Sequence, residues 1–90
     1  MQYKIIFEKN ADKQLRKLDK THQRIIVNWI VKNLENTDNP RVFGKSLRGN
    51  LKDYWRYRVG DYRIIAEIND DEIKIFVVEI GHRKDIYKKP

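Results

Sequence analysis

Arg56, Arg58 and Arg63 are the side chains whose type and spacing point most directly to chemistry. The first two alternate along Tyr54-Trp55-Arg56-Tyr57-Arg58-Val59, and the third follows the turn signal Gly60-Asp61. Alternation along a strand sends successive side chains to opposite faces. If Trp55, Tyr57 and Val59 enter a core, Arg56 and Arg58 must share the opposite surface. Like charges held side by side repel, so a surface that keeps them together suits an anion. A phosphate chain is the leading candidate, because the guanidinium fork matches phosphate oxygens two at a time. Lys45, Arg48 and Lys52 lie just upstream, around Gly49, whose missing side chain permits close backbone approach. The plain alternative is a solvated strand face, since surface arginines are common.

The distribution of charge supports the anion reading. Residues 41–63 hold seven basic side chains against two acidic ones, and residues 82–90 hold four against one. A net charge of +7 in 90 residues, with a pI of about 9.7, raises the expectation of a nucleic acid or an acidic protein as partner. No apolar run approaches the ~20 residues that span a bilayer, no clean basic amphipathic helix is visible, and Met1 to Phe7 is too short for a secretory signal. The expectation is a soluble, cytoplasmic protein with no membrane partner. The absence of cysteine rules out a disulfide framework and a thiolate metal site. Asn69-Asp70-Asp71-Glu72 reads as a turn, and consecutive carboxylates rarely converge on one ion without further ligands. No metal and no cofactor is expected.

Residues 1–90 are long enough for a single domain with a limited core. A strand is expected over 3–7, then a helix over 11–18 capped by Asn10, with Ala11, Leu15 and Leu18 on one face. Thr21 is expected to open a second helix over 21–36. Its stripe of Ile25, Ile26, Trp29, Ile30, Val31 and Leu34 would make it the main lid on a sheet. His22 reads as a solvent-facing helix residue. Pro40 ends helical pattern in 36–49. Strands follow over 54–59, 62–68 and 73–80, the last apolar on both faces and so expected inside the sheet. Tyr54, Tyr57 and Tyr62 read as core or cross-strand partners. Glu67 and Glu79 read as partners of basic neighbours. The segment 81–90 suits a short helix or an extended arm.

Leu47-Arg48-Gly49, the run from Tyr54 to Arg63, and Gly81-His82-Arg83-Lys84-Asp85-Ile86-Tyr87 occur together at separations that resemble the RelE family of bacterial and archaeal toxins. The resemblance covers nearly the whole chain. It implies an α+β, RelE-like fold, with two N-terminal helices packed on a curved antiparallel sheet in the order β-α-α-β-β-β. It also implies the toxin of a type II toxin–antitoxin system: a ribosome-dependent endoribonuclease, or mRNA interferase, that cuts messenger RNA in the ribosomal A site and stops translation. A RelB-like antitoxin would restrain it in a hetero-oligomer.

By the same resemblance the catalytic face falls on Arg56, Arg58 and Arg63, with Arg83 and Tyr87 near the C-terminus. Lys45, Arg48, Lys52 and Lys84 are expected along the RNA backbone. The chemistry asks for such residues. RNA is cut without metal when its 2′-hydroxyl attacks the adjacent phosphorus, and the protein must neutralise charge growing on the phosphoryl oxygens and move two protons. Arginine suits the first task and, with a pKa above about 12, not the second. Tyr87 would orient a base or help move a proton, and His82 is a further candidate, histidine having a reference pKa near ~6.5. The alternatives are a ParE-like inhibitor of DNA gyrase, a relation that lacks the clustered basic residues, and a non-catalytic RNA-binding module.

Overall fold

Short alternating strands and two amphipathic helices account for the described part of this computed structural model, which covers residues 2–47 and 54–82. The chain runs β1 (Lys4–Phe7), α1 (Lys9–Arg16), α2 (Lys20–Asn33), β2 (Lys45–Ser46), β3 (Tyr54–Val59), β4 (Tyr62–Asn69) and β5 (Lys74–His82). The strands form one sheet in the order β1-β5-β4-β3-β2. Neighbouring strands are antiparallel apart from β1 and β5, which run parallel, with Ile5 opposite Ile75 and Phe7 opposite Val77. The expected α+β arrangement is present, as a five-stranded mixed sheet. β5 lies between β1 and β4, as its two apolar faces suggested.

Both helices begin earlier than their sequence signals indicated. Asn10 does not cap α1, because its side-chain amide donates to the Val78 carbonyl at 3.3 Å. The helix instead starts at Glu8, whose carbonyl receives the Asp12 N–H at 2.9 Å. Asp19, two residues before the expected Thr21, caps α2 by accepting the His22 backbone N–H at 2.8 Å. That bond, with further contacts from His22, holds the Asp19 carboxyl below its ordinary range.

Burial selects a narrower stripe of α2 than hydropathy suggested. Ile26, Ile30 and Leu34, four residues apart, are buried, whereas Ile25 and Val31 on the flanks face solvent. α1 buries Ala11 and Leu15 and is tied to β5 by the Ile80 N–H, which donates to Gln14 Oε1 at 2.7 Å. These residues meet Tyr57, Val59, Ile64, Ala66, Ile75, Val77 and Ile80 in one apolar cluster on the helix side of the sheet.

Two turns define the strands that matter for function. Gly60, at φ 59°, makes the two-residue turn between β3 and β4, a position that favours glycine. The β4–β5 turn is closed by Asn69 Oδ1, which accepts the Glu72 N–H at 2.9 Å. Among the described residues no helix is long and apolar enough to cross a membrane.

Candidate functional site

Register decides which side chains share a face. Arg58 stands opposite Arg63, Tyr57 opposite Ile64 and Arg56 opposite Ile65. β2 extends the last row with Lys45 opposite Arg56, and β5 extends it with Glu79 opposite Ile65. Directly opposite residues project to the same side. Tyr57 and Ile64 belong to the cluster beneath the helices, so Lys45, Arg56, Arg58 and Arg63 rise from the other side. Ile65 agrees with this, being buried yet outside that cluster.

Lys45, Arg56, Arg58 and Arg63 are thereby brought together. Arg48, Lys52, Arg83, Lys84 and Tyr87 lie outside the described residues. His82 is placed elsewhere: it stands opposite Tyr62 in the register, on the side of Tyr57 and Ile80. Its ring meets the Tyr62 ring at 5.7 Å, and Tyr62 meets His22 of α2 at 5.2 Å. His22, expected in solvent, is half-buried there, with Nδ1 2.9 Å from the Asp19 carboxylate. The expectation of a proton-transfer role for His82 therefore meets an odd–even problem, since one step along β5 reverses the face.

The cations differ in depth. Arg58 is exposed and Arg56 half-buried, whereas Arg63 is only 3% exposed. Arg63 Nη1 reaches the Tyr62 carbonyl at 3.4 Å. A buried cation acts through a medium less polarisable than water, so its field reaches neighbouring groups with less screening. Glu67 and Glu79 are carboxylates on the same face, Glu79 one row from Arg63.

The residues after α2 complete the edge of this surface. Gly44 has φ 80°, and a Cβ there would collide with the Arg56 carbonyl oxygen and lie 2.9 Å from Trp55 Nε1. Only glycine fits such a contact. Trp55 Nε1 donates to the Phe43 carbonyl at 2.6 Å, and the Tyr57 hydroxyl donates to the buried Pro40 carbonyl at 2.6 Å. Burial pushes the Tyr57 phenol well above its ordinary range. Arg41 forms a two-pronged pair with Asp70 at 3.1 and 3.0 Å, and its guanidinium lies 5.9 Å from the centre of the Trp55 ring. Asp70 also accepts from the Tyr3 hydroxyl at 2.6 Å. The Arg41 bonds, then the Tyr3 bond, hold its carboxyl below the usual carboxylate range. The acidic turn thus anchors a loop, with Glu72 bound to Lys74 at 3.2 Å.

Among the described residues, β2 pairs with Trp55 and Arg56 and with no part of β3 further along toward Val59. There an open depression of about 320 Å³ is lined by Trp29, Phe43, Gly44, Lys45, Arg56 and Arg58. Sequence reasoning missed Trp29, Phe43 and Gly44 as site residues. A glycine between an aromatic residue and a lysine was the available signal.

The chain as a whole has counterparts among known proteins. The family model described as the ParE toxin of the type II toxin–antitoxin system parDE matches residues 5–87. The chain belongs to the RelE/ParE toxins. Toxin RelG of Mycobacterium tuberculosis is 29% identical over 89 residues, covering 99% of this chain and all of that protein. The mRNA interferase toxin RelE of Escherichia coli is 31% identical over 85 residues, covering 93% and 86%. Among solved structures, a chain of the RelBE2 toxin–antitoxin complex of M. tuberculosis superposes with a TM-score of 0.83 at 26% identity, over 92% of this chain and 93% of that one. The isolated E. coli RelE toxin gives 0.73 at 27% identity, over 96% and 92%. A RelE/ParE toxin that carries arginines on adjacent strands of one sheet face is therefore the frame for its chemistry.

Proposed function

We propose that this chain is the toxin of a type II toxin–antitoxin pair and cleaves messenger RNA on the ribosome. The observation that carries the proposal is the row-by-row gathering of Lys45, Arg56, Arg58 and Arg63 on the side of the sheet away from the helices. The name of the E. coli relative, an mRNA interferase, supports the same reading.

The reaction is cleavage without metal. The RNA 2′-oxygen attacks phosphorus, its proton leaves to a base, the bond from phosphorus to the 5′-oxygen breaks, and that oxygen takes up a proton. The products are a 2′,3′-cyclic phosphate and a 5′-hydroxyl. Arg58 and Arg56 hold the phosphoryl oxygens, while Arg63 adds charge from beneath the surface as negative charge grows in the transition state. Arg83 and Tyr87 join them by the family's pattern, Arg83 steadying the transition state and Tyr87 positioning a base or moving a proton. Arg48, Lys52 and Lys84 lie along the RNA backbone. His82 stands on the far face, opposite Tyr62 and away from Arg56, Arg58 and Arg63.

The partner is a RelB-like antitoxin in a hetero-oligomer, and the place of action is the cytoplasmic ribosome. The solved RelBE complexes among the structural relatives support the antitoxin. Primer extension on a message, translated and naked, tests the enzyme: codon-phased cuts that need translation are expected. The ParE description of the matching family model favours one second reading, inhibition of DNA gyrase. Loss of supercoiling with intact messages would establish that reading and end the first.

A further inference from the structure

The depression beside the arginines has one wall that phosphate chemistry does not use. Phe43 is 43% exposed, although an aromatic ring of its size ordinarily gains by burial. It is nevertheless held in place. Its ring meets Trp29 edge-on, with centroids 5.9 Å apart and planes at 69°. Its carbonyl accepts the Trp55 indole N–H, and the next residue, Gly44, touches the β3 backbone. These backbone fastenings do not need the phenyl ring. What the ring does is present apolar surface in a depression otherwise edged by Lys45, Arg56 and Arg58.

We propose that Phe43, backed by Trp29, is a stacking platform for an unpaired RNA base next to the phosphate held by Arg56 and Arg58. The proposal deepens the RNA-cleaving reading and rests on it. An immobilised aromatic face beside cations matches the two needs of single-stranded nucleic acid: a planar base to stack and a phosphate to neutralise. An acidic protein segment would satisfy the charges, but gains less from a flat ring set at the rim. The depression, about 320 Å³, is within the size range of small-molecule sites and open on one side, as a nucleotide within a longer strand requires. Stacking tolerates any base, so the platform adds affinity and register more than sequence choice.

The test uses fluorescent eight-nucleotide 2′-O-methyl RNA, which cannot be cleaved through its 2′-oxygen, binding to the full-length protein at several salt concentrations. Phe43→Ala should weaken binding about tenfold, within the range for loss of one stacked base. It should leave the slope of log affinity against log salt unchanged, because no charge is removed. Arg58→Ala should flatten that slope by roughly 0.7. Phe43→Trp should bind as well as the unaltered protein, and an abasic strand of equal length should bind Phe43→Ala and the unaltered protein alike. Equal affinity of Phe43→Ala and unaltered protein for the base-bearing strand overturns the platform while leaving the RNA reading standing. So does a loss that persists on the abasic strand, or one confined to antitoxin binding. An unaltered protein without salt-dependent RNA binding overturns the platform, while codon-phased cuts in the primer-extension assay still decide the cleavage reading separately. Unchanged thermal melting of Phe43→Ala, expected from the backbone fastenings, separates lost stacking from a displaced loop.

Discussion

Strand β3 presents two surfaces governed by opposite rules. On one, Tyr57 and Val59 are buried under the helices, where close packing makes each apolar atom count. On the other, Arg56 and Arg58 stand two residues apart, and Arg58 is directly opposite Arg63 on β4. Like charges directly opposite one another destabilise a sheet. The first surface holds the strand in place, and that security allows the second to carry repulsive charge where an anion is to be met. The same hairpin therefore answers two demands, and substitutions on its two sides should fail in different ways.

The largest expected effect is on the core side. Tyr57→Ala removes a fully buried ring that also bonds the Pro40 carbonyl, and should cost roughly 3–5 kcal/mol. For a small domain whose whole stability is about 5–15 kcal/mol, that is a large share. Denaturant titration should show the midpoint collapsing, with cleavage falling only as the folded population falls. On the other side, Arg58→Ala should lower cleavage roughly 10²–10³-fold, the scale for removing one donor to a developing oxyanion. Its melting temperature should stay close to that of the unaltered protein, since exposed side chains contribute about 0.5 kcal/mol or less. An Arg58→Ala protein that melts early yet cuts normally would erase the division between the two faces.

Gly44 tests whether the faces are joined at the edge of the sheet. An alanine there meets the Arg56 carbonyl and must hold a positive φ, so the loop has to move. We expect a loss of about 1–3 kcal/mol, together with weaker RNA binding because Phe43 and Lys45 shift with it. Stability lost with RNA binding intact would mean that the loop does not build the site.

The contrast also explains what could be read from the chain. The alternation in 54–59 revealed both faces of β3, because a period of two needs no knowledge of the partner strand. It did not reveal depth: Arg63 has the parity of a surface cation and is nevertheless buried. Helix starts were misplaced where a side chain had a distant partner, as when Asn10 reaches Val78 rather than capping its own helix. β2 and the Phe43 platform went unseen because their order derives from contacts with Trp55, Arg56 and Trp29, all remote in sequence. The face of His82 was not legible, because the register shift between β4 and β5 breaks the alternation before it, so that Val77 and Ile80 share a side. Its reference pKa, not its place in the sheet, had suggested proton transfer.

A finer probe of the core side is Tyr57→Phe. It keeps the ring and removes the bond to Pro40, and should cost about 1 kcal/mol by chemical denaturation. Because burial raises the folded-state pKa of Tyr57, its contribution is complete below the phenol's unfolded value of about 10. It is lost as pH rises through the folded value. The alkaline fall in stability should therefore be shallower in Tyr57→Phe, and an identical fall would place its origin elsewhere.

The smallest effect belongs to the clamp that holds the loop from outside. Asp70→Asn weakens the pairing with Arg41 and Tyr3, and at so exposed a site should cost about 0.5 kcal/mol. The sign of its pH dependence is opposite to that of Tyr57. The folded-state pKa of Asp70 is lowered, so the contribution is present above the unfolded carboxylate value of about 4 and is lost as pH falls through the lower folded value. Asp19, lowered by the His22 amide, acts in the same window. Melting followed from pH 7 down to about 2 should thus show a residual acid dependence in Asp70→Asn, smaller than in the unaltered protein. If the two curves run parallel, Asp70 does not fasten the loop in solution, and the anchor of the Phe43 rim must be sought in the Trp55 and Tyr57 bonds alone.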